Sequence, residues 1–390
     1  MKKLYKIFFV SLTSVLFLSA CIQDEPLGIE ADILEITVPD LSAGVQYGAT
    51  TIKPIRGTNR INIWVSDDYE VGVLSPEFVL TRGATIYPLS GTTLDFSNEQ
   101  EQIYIVTSED GRWQMEYTVV VRPRFVLTAD EDGDGRTRTF SFENFREFEG
   151  NFHFHEFYEK SSSGRKDFIW DSGNLGFALT NANAPAENYP TFSTPAGKIG
   201  SAVQLVTRST GAFGAMVGMP IASGNLFLGS FNVSQALSAP LAATQFGVPF
   251  VMGEPLRLEF WYKFQGGNFV VNGAEQQDFP HIYAVLFKPE MIDGETVLLN
   301  GANVLTAANI ISVAELDPSD VIHSDDIGTA EFSHGSIPFV LREGKTIDAQ
   351  KLANGDYYIT IVFASSSRGQ FFEGFVGSTL IVDEVTLITR

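Results

Sequence analysis

Runs of alternating apolar and polar residues, separated by turn-forming residues, limit the possible folds of this chain more than any other feature. The clearest run is 256–264, in which Leu256, Leu258, Phe260, Tyr262 and Phe264 fall on one side. Successive side chains of a strand point to opposite faces of a sheet, so this side is expected to be buried. Few stretches show helical periodicity. The pattern predicts an all-β protein built from sandwiches.

The first group of such runs predicts an immunoglobulin-like (Ig-like) β-sandwich over residues 33–122. The expected strands are Ile33–Val38, Arg60–Val65, Glu101–Val106 and Trp113–Val121. An Asp-Gly pair in the turn Ser108–Gly111 separates the last two, and Asp-Gly between β-rich runs is a strong hairpin signal. The length of about 90 residues is that of one Ig-like sandwich.

The second group, over residues 136–390, predicts a larger β-jelly roll. Its segment Tyr357–Ala364 is apolar on both faces, which is typical of a central strand, and Leu380–Leu387 is expected to be the last strand. Pro123 and the acidic residues that follow predict a linker over 123–135. One sandwich domain can reach this length.

The N-terminus predicts export and lipid anchoring. Residues 1–20 contain three lysines and then an apolar run, Ile7 to Leu18, that is shorter than the about 20 residues of a membrane-spanning helix. Leu18-Ser19-Ala20-Cys21 resembles the bacterial lipobox, which implies lipidation at Cys21. The acidic tether 21–32 begins with a stretch that resembles the surface-export signal of Bacteroidetes lipoproteins. We therefore expect a protein anchored in the outer membrane and facing the cell exterior.

Cysteine content and charge exclude several classes of function. Cys21 is the only cysteine, so neither disulfides nor thiolate chemistry are expected in the folded part. The net charge of −21 becomes −24 once the three lysines before Cys21 are removed. Such a charge repels nucleic acid and anionic lipids, so membrane contact is expected only through the lipid anchor. We expect a monomer.

Several segments of the second group resemble the PCMD family, the putative carbohydrate metabolism domain of Bacteroidetes lipoproteins. The resemblance implies a jelly roll behind an Ig-like domain and a role in handling glycans. The family usually has Trp where this chain has Phe145. The matching segments, in the order of the family, are Phe140–Phe145, Trp170–Asn174, Gly224–Phe231, Phe260–Phe264, Ser365–Gly369 and Gly374–Val385.

Aromatic residues among polar ones are the candidates for sugar binding, because sugars pack their C–H faces on aromatic rings. Trp261 lies on the polar side of its strand with Glu259 and Arg257, and these three residues are predicted to contact a poly- or oligosaccharide. Trp170, in a stretch rich in Gly, Asn and Ser, is the second aromatic candidate. Burial is the alternative for both rings.

A structural calcium ion is implied by resemblance to jelly-roll carbohydrate-binding modules. In those modules, a Phe-Glu pair near the first strand and an Asp in the last strand often hold the ion. Glu143 and Asp383 occupy these places. The ion would hold the two chain ends together and take no part in catalysis.

Together these features predict a non-catalytic, carbohydrate-binding accessory lipoprotein, and no catalytic residue is assigned. One alternative is a glycoside hydrolase or lyase with paired carboxylates, for which Glu259, Glu373 and Asp383 are available. The other is a structural subunit of the fimbrial or adhesin type.

Replacing the predicted lipid-bearing residue tests the anchor. Cys21→Ala is expected to abolish labelling with a palmitate analogue and to move the protein out of the membrane fraction. Gln23→Ala, which keeps Cys21, is expected to stay labelled and membrane-bound. A Cys21→Ala protein that is still labelled and sediments with membranes would contradict the assignment.

Overall fold

The computed structural model describes residues 27–42, 45–46, 51–52, 59–66, 69–97, 100–131, 133–148, 150–161, 164–292 and 295–390. Cys21, the predicted signal peptide and the start of the predicted tether lie outside the described residues. Within the described ranges, no helix has both the length and the apolar character needed to span a membrane.

The described residues form an almost entirely β structure, as the alternation predicts. The strands before residue 124 are β1 (Ile33–Thr37), β2 (Thr51–Ile52), β3 (Arg60–Val65), β4 (Val73–Leu74), β5 (Glu77–Leu80), β6 (Thr85–Tyr87), β7 (Leu94–Asp95), β8 (Gln102–Thr107) and β9 (Gln114–Pro123). The later strands are β10 (Thr137–Phe140), β11 (Phe145–Glu147), β12 (His155–Phe157), β13 (Glu159–Lys160), β14 (Lys166–Asp167), β15 (Trp170–Asp171), β16 (Thr191–Thr194), β17 (Ala202–Val206), β18 (Arg208–Ser209), β19 (Ile221–Ala222), β20 (Asn225–Phe231), β21 (Thr244–Phe246), β22 (Val248–Phe250), β23 (Pro255–Gln265), β24 (Asn268–Val271), β25 (Ala274–Gln277), β26 (His281–Phe287), β27 (Glu290–Ile292), β28 (Glu295–Val297), β29 (Leu299–Asn300), β30 (Ile310–Glu315), β31 (Ser333–Pro338), β32 (Val340–Leu341), β33 (Tyr357–Ala364) and β34 (Thr379–Thr389).

Helices are short and lie between strands. The α-helices are α1 (Asn174–Ala178), α2 (Gly211–Met216), α3 (Pro240–Ala243) and α4 (Ala349–Ala353). Single 3₁₀ turns cover Ala186–Asn188, Val233–Gln235, Pro318–Asp320 and Gly369–Phe371.

The N-terminal strands form the predicted Ig-like sandwich. One sheet has the order β2-β1-β5 and the other β3-β9-β8-β6, with β3 parallel to β9. The predicted hairpin is confirmed as β8 and β9, and Gly111 in its turn has a φ of 69°, which glycine adopts without strain. Ile36, Ile63 and Val121 lie fully buried between the sheets.

The C-terminal strands form a jelly roll of two large sheets. The six-stranded sheet has the order β16-β17-β34-β23-β31, with β10 also paired to β34. The nine-stranded sheet has the order β29-β21-β20-β33-β26-β30-β32, with β15 on β20 and β22 on β33. The predicted central strand is β33, whose neighbours are β20 and β26. Its side chains are buried on both faces.

The alternation that predicted this fold is visible in β23. Leu258, Phe260, Tyr262 and Phe264 are buried between the two sheets, and the polar residues between them face outwards. The predicted linker contains Leu127, which is fully buried in the same core and forms a parallel bridge with Phe250. Part of that linker therefore packs as part of the jelly roll.

Trp170 lies in the core between the sheets. It is 3% exposed, and its ring lies 5.1 Å from that of Phe140 and 5.4 Å from that of Phe142, between ring centroids. Its indole N–H donates to Glu159 Oε1 at 3.0 Å, and Arg138 donates to the other oxygen of Glu159 at 3.2 Å. Both the ring and its donor are therefore engaged inside the protein, which is at odds with the prediction that Trp170 contacts a sugar.

Trp170→Phe is expected to lower the free energy of unfolding by about 2–3 kcal/mol, because the core loses volume and Glu159 loses a buried donor. Urea denaturation measures this change. Trp113→Phe is the matched control: that ring is 62% exposed, so a change within about 0.5 kcal/mol is expected. Equal effects of the two substitutions would show that Trp170 has no special role in the core.

Candidate functional site

A cavity of about 200 Å³ lies on the outer face of the nine-stranded sheet, on the side away from the six-stranded sheet. Two rows of side chains that cross three neighbouring strands form its floor. In the first row, Val362 pairs with both Phe227 and Tyr283. In the second row, Ala364 pairs with both Asn225 and His281. The two-residue period of strands places both rows on the same face.

Short helices and loops form the walls, and most of their side chains are apolar. Phe177 comes from α1, Phe231 from the end of β20 and Phe246 from β21. Leu241 belongs to α3, which approaches Gly301 closely enough for the Gly301 amide to donate to the Leu241 carbonyl at 2.8 Å. A Cβ at position 301 would lie 2.9 Å from that oxygen, so this contact requires glycine.

A buried carboxylate holds one wall in place. Asp278 is fully buried, and its Oδ1 accepts hydrogen bonds from the Ser366 hydroxyl at 2.8 Å and the Phe279 amide at 3.0 Å. Its Oδ2 accepts from the Phe375 amide at 2.9 Å and the Ser378 hydroxyl at 2.7 Å. Burial raises the pKa of Asp278 in spite of these donors. The bonds fix the segment 365–378, whose first half lines the cavity.

A second carboxylate positions an aromatic wall residue. Asp171 accepts hydrogen bonds from the Ser172 amide and, at 2.7 Å, from the Phe231 amide. Burial raises the pKa of Asp171 to about 7. The bond to the backbone of Phe231 fixes the end of β20 where its ring reaches the cavity.

Acidic side chains do not line this cavity. Among the described residues that form its surface, none is Asp, Glu, Lys or Arg. The His281 ring reaches Glu315 Oε1 at 3.0 Å, and this hydrogen bond lowers the pKa of Glu315, which lies outside the lining. Glycosidases need two carboxylates, about 5–5.5 Å or about 6.5–9.5 Å apart, on either side of the bond that is cleaved. The described lining of the cavity contains no such pair.

Three of the four predicted sugar-binding residues, Arg257, Glu259 and Trp261, lie elsewhere, on the outer face of the six-stranded sheet. Arg257 Nε donates to Glu259 Oε1 at 2.7 Å, and Trp261 follows on the same face of β23. The Lys198 ammonium lies 4.0 Å from the centroid of the Trp261 ring, and the His334 ring lies 4.9 Å from it. The structure thus brings the three residues together, with Lys198 over one face of the indole.

The two residues predicted to hold calcium adjoin this surface. Asp383 is fully buried, and its Oδ2 accepts from the amides of Lys198 at 2.7 Å and Ile199 at 3.0 Å. Its Oδ1 accepts from the Glu384 amide at 2.8 Å. Glu143 accepts from the Ser201 amide at 2.9 Å. One loop, residues 198–201, therefore links Trp261 and both predicted ligands.

Comparison with known proteins assigns this architecture to a family. Residues 141–388 match the family model described as Putative carbohydrate metabolism domain, or PCMD. The chain belongs to the PCMD family. The resemblance inferred from short segments is confirmed, and residues 42–121 match a second family model, described as SGBP, N-terminal.

Two solved structures are similar to this PCMD chain. A protein from Bacteroides thetaiotaomicron, described as a putative glycoside hydrolase, is 39% identical with a TM-score of 0.74, and the match covers 94% of this chain and 99% of that one. A Bacteroides vulgatus protein of the same description is 37% identical with a TM-score of 0.57, over 65% of this chain and 98% of that one. No curated protein matches the sequence.

Sequence reasoning missed the cavity of the PCMD domain, because no local motif marks it. Its residues come from segments that lie up to about 200 positions apart. One signal was present: β33 is apolar on both faces, so its outer face had to be covered by something. The pattern therefore predicted that other residues cover β33, but it gave no sign of a cavity between them and the strand.

The predicted calcium site can be compared with the ligand needs of the ion. Calcium takes about six to eight oxygen ligands, and amide N–H groups already surround the Asp383 carboxylate. No group of three or more His, Cys, Asp or Glu side chains suited to a metal occurs in the described part of the chain. These side chains alone do not complete a site, so calcium stays a prediction and no functional step depends on it.

Melting temperature tests that prediction. Burial raises the pKa of Asp383 and of Glu384, and the nearby Glu143 charge adds to both shifts. If a calcium ion offsets this repulsion, 1 mM calcium raises the melting temperature by several degrees relative to EDTA, and Glu143→Gln removes the difference. Magnesium serves as the control ion. Identical melting curves in calcium and EDTA would contradict the predicted calcium site.

Proposed function

We propose that this protein is a lipid-anchored, cell-surface, glycan-binding protein that holds its ligand in the cavity of the PCMD domain without cleaving it. The observation that carries the proposal is an aromatic-walled cavity with no carboxylate in its described lining. Aromatic rings stack on the C–H faces of sugars, whereas hydrolysis needs paired acids.

Family membership supports a carbohydrate ligand, and the N-terminal match supports a position at the cell surface. The match to the SGBP N-terminal model suggests a surface glycan-binding protein. The Ig-like sandwich would then act as a spacer behind the predicted anchor at Cys21. The net charge of −21 is consistent with a neutral ligand and not with nucleic acid.

A panel of polysaccharides, titrated against residues 22–390, tests the proposal. We expect binding of at least one polysaccharide by the parent protein. Ala364→Phe, which fills the cavity from its floor, is expected to abolish that binding. Trp261→Ala, on the opposite side of the jelly roll, is expected to keep it. Circular dichroism checks that both variants fold.

Other outcomes have distinct meanings. Loss of binding with Trp261→Ala alone would move the site to the surface formed by Arg257, Glu259 and Trp261. Failure of the folded parent protein to bind any glycan would contradict the proposal.

A glycoside hydrolase is the second candidate, because both similar structures are described as putative glycoside hydrolases. Incubation with the same polysaccharides and analysis of released sugars distinguishes the two functions. We expect no release. Release that is lost in Ala364→Phe would show that the cavity is catalytic and that acids outside its lining reach the substrate.

A further inference from the structure

The size of the cavity limits what can enter it. An engineered apolar cavity of about 150 Å³ stays dry and binds benzene. The present cavity, at about 200 Å³, therefore has room for one six-membered ring with a small substituent. A glycan chain would extend beyond it, so only one group of such a ligand can occupy the interior.

Several polar side chains of the cavity already have partners, whereas the wall residues Thr244, Ser367 and Gln370 make no side-chain hydrogen bond to the described residues. Asn225 accepts from the Gly173 amide at 2.8 Å and donates to the Ser223 carbonyl at 3.3 Å. Ser366 donates to Asp278 at 2.8 Å, and His281 is bonded to Glu315. A sugar ring presents hydroxyl groups around its edge, and each one buried without a partner costs about 1–3 kcal/mol. The floor of the cavity therefore offers few partners to the hydroxyl groups of an unsubstituted sugar.

Tyr283 is the exception among the floor residues. It is 4% exposed, and its hydroxyl makes no hydrogen bond to any residue in the described part of the chain. Burial and the nearby charge of Glu315 raise the pKa of Tyr283, so the phenol stays protonated and can donate. This donor, on the floor beside the rings of Phe227 and Phe246, matches a ligand group that is apolar apart from a single polar atom.

We propose that the cavity binds a small aromatic group carried by a glycan, with the attached sugar at the mouth. The ring would pack against Phe227, Phe231 and Phe246, and its polar atom would bond to the Tyr283 hydroxyl. Aromatic rings favour edge-to-face and offset contacts with such walls. This inference rests on the proposed function, since it names the part of a glycan that the cavity selects.

The test compares aryl and methyl glycosides, paired so that both carry the same sugar, as ligands of residues 22–390. Isothermal titration is expected to show that free phenol, with no sugar attached, binds to the protein. It is also expected to show at least about ten-fold tighter binding of 4-nitrophenyl glycosides than of methyl glycosides, because burying a ring contributes about 1.5–3 kcal/mol. Absence of phenol binding by the folded protein, or equal affinity for the two glycosides, would overturn the proposal.

Variants test whether the Tyr283 hydroxyl bonds to the polar atom of the ligand. Tyr283→Phe is expected to weaken phenol binding about 3- to 10-fold and to leave toluene binding unchanged, because only phenol uses the hydroxyl. Ala364→Phe is expected to abolish binding of both, and Trp113→Ala, in the Ig-like domain, to change neither. Equal weakening of phenol and toluene in Tyr283→Phe would refute the role of the hydroxyl, even if Ala364→Phe does not fold.

The two proposals fail in different ways. Polysaccharide binding without phenol binding refutes the aromatic group and leaves glycan binding in place. Phenol binding that responds to the variants, together with no binding of any glycan or glycoside, refutes glycan recognition.

Discussion

The burial of one face of each large sheet against the other is the interaction on which the rest of the jelly roll depends. The chain has a single cysteine, at a position expected to carry lipid, so no disulfide supports the fold. Stability must come from the contact between β23 and β34 on one side and β20, β33 and β26 on the other. Aromatic residues such as Phe260 and Phe363 fill much of that contact, with ring centroids 6.2 Å apart.

Buried carboxylates tie distant segments of the jelly roll to one another. Asp278, Asp171 and Asp383 each accept hydrogen bonds from backbone amides of segments distant in sequence. A carboxylate accepts several short hydrogen bonds at once, which offsets part of its desolvation. The loops at both outer faces of the jelly roll are therefore tied to its strands.

The two outer faces differ in what they offer a ligand. The face with Trp261 carries charged side chains, and Lys198 covers part of its aromatic ring. The opposite face carries a largely apolar, partly open cavity with the Tyr283 hydroxyl on its floor. A polysaccharide on the first face would meet charged side chains around the partly covered Trp261 ring. The second face can bury part of a ligand away from water, which gives more selectivity per contact.

The sequence by itself determined the β class, the order of the two sandwiches, strands such as β3, β23 and β33, and the family, because alternation and short motifs are local properties. Only the tertiary structure decided that Trp170 is buried, that Lys198 covers Trp261, and that a cavity exists. Phe227, Tyr283 and Val362 meet because β20, β33 and β26 are neighbours in the sheet. Strand order depends on the packing of the whole domain, and residues far apart in sequence therefore carry no local sign of their contact.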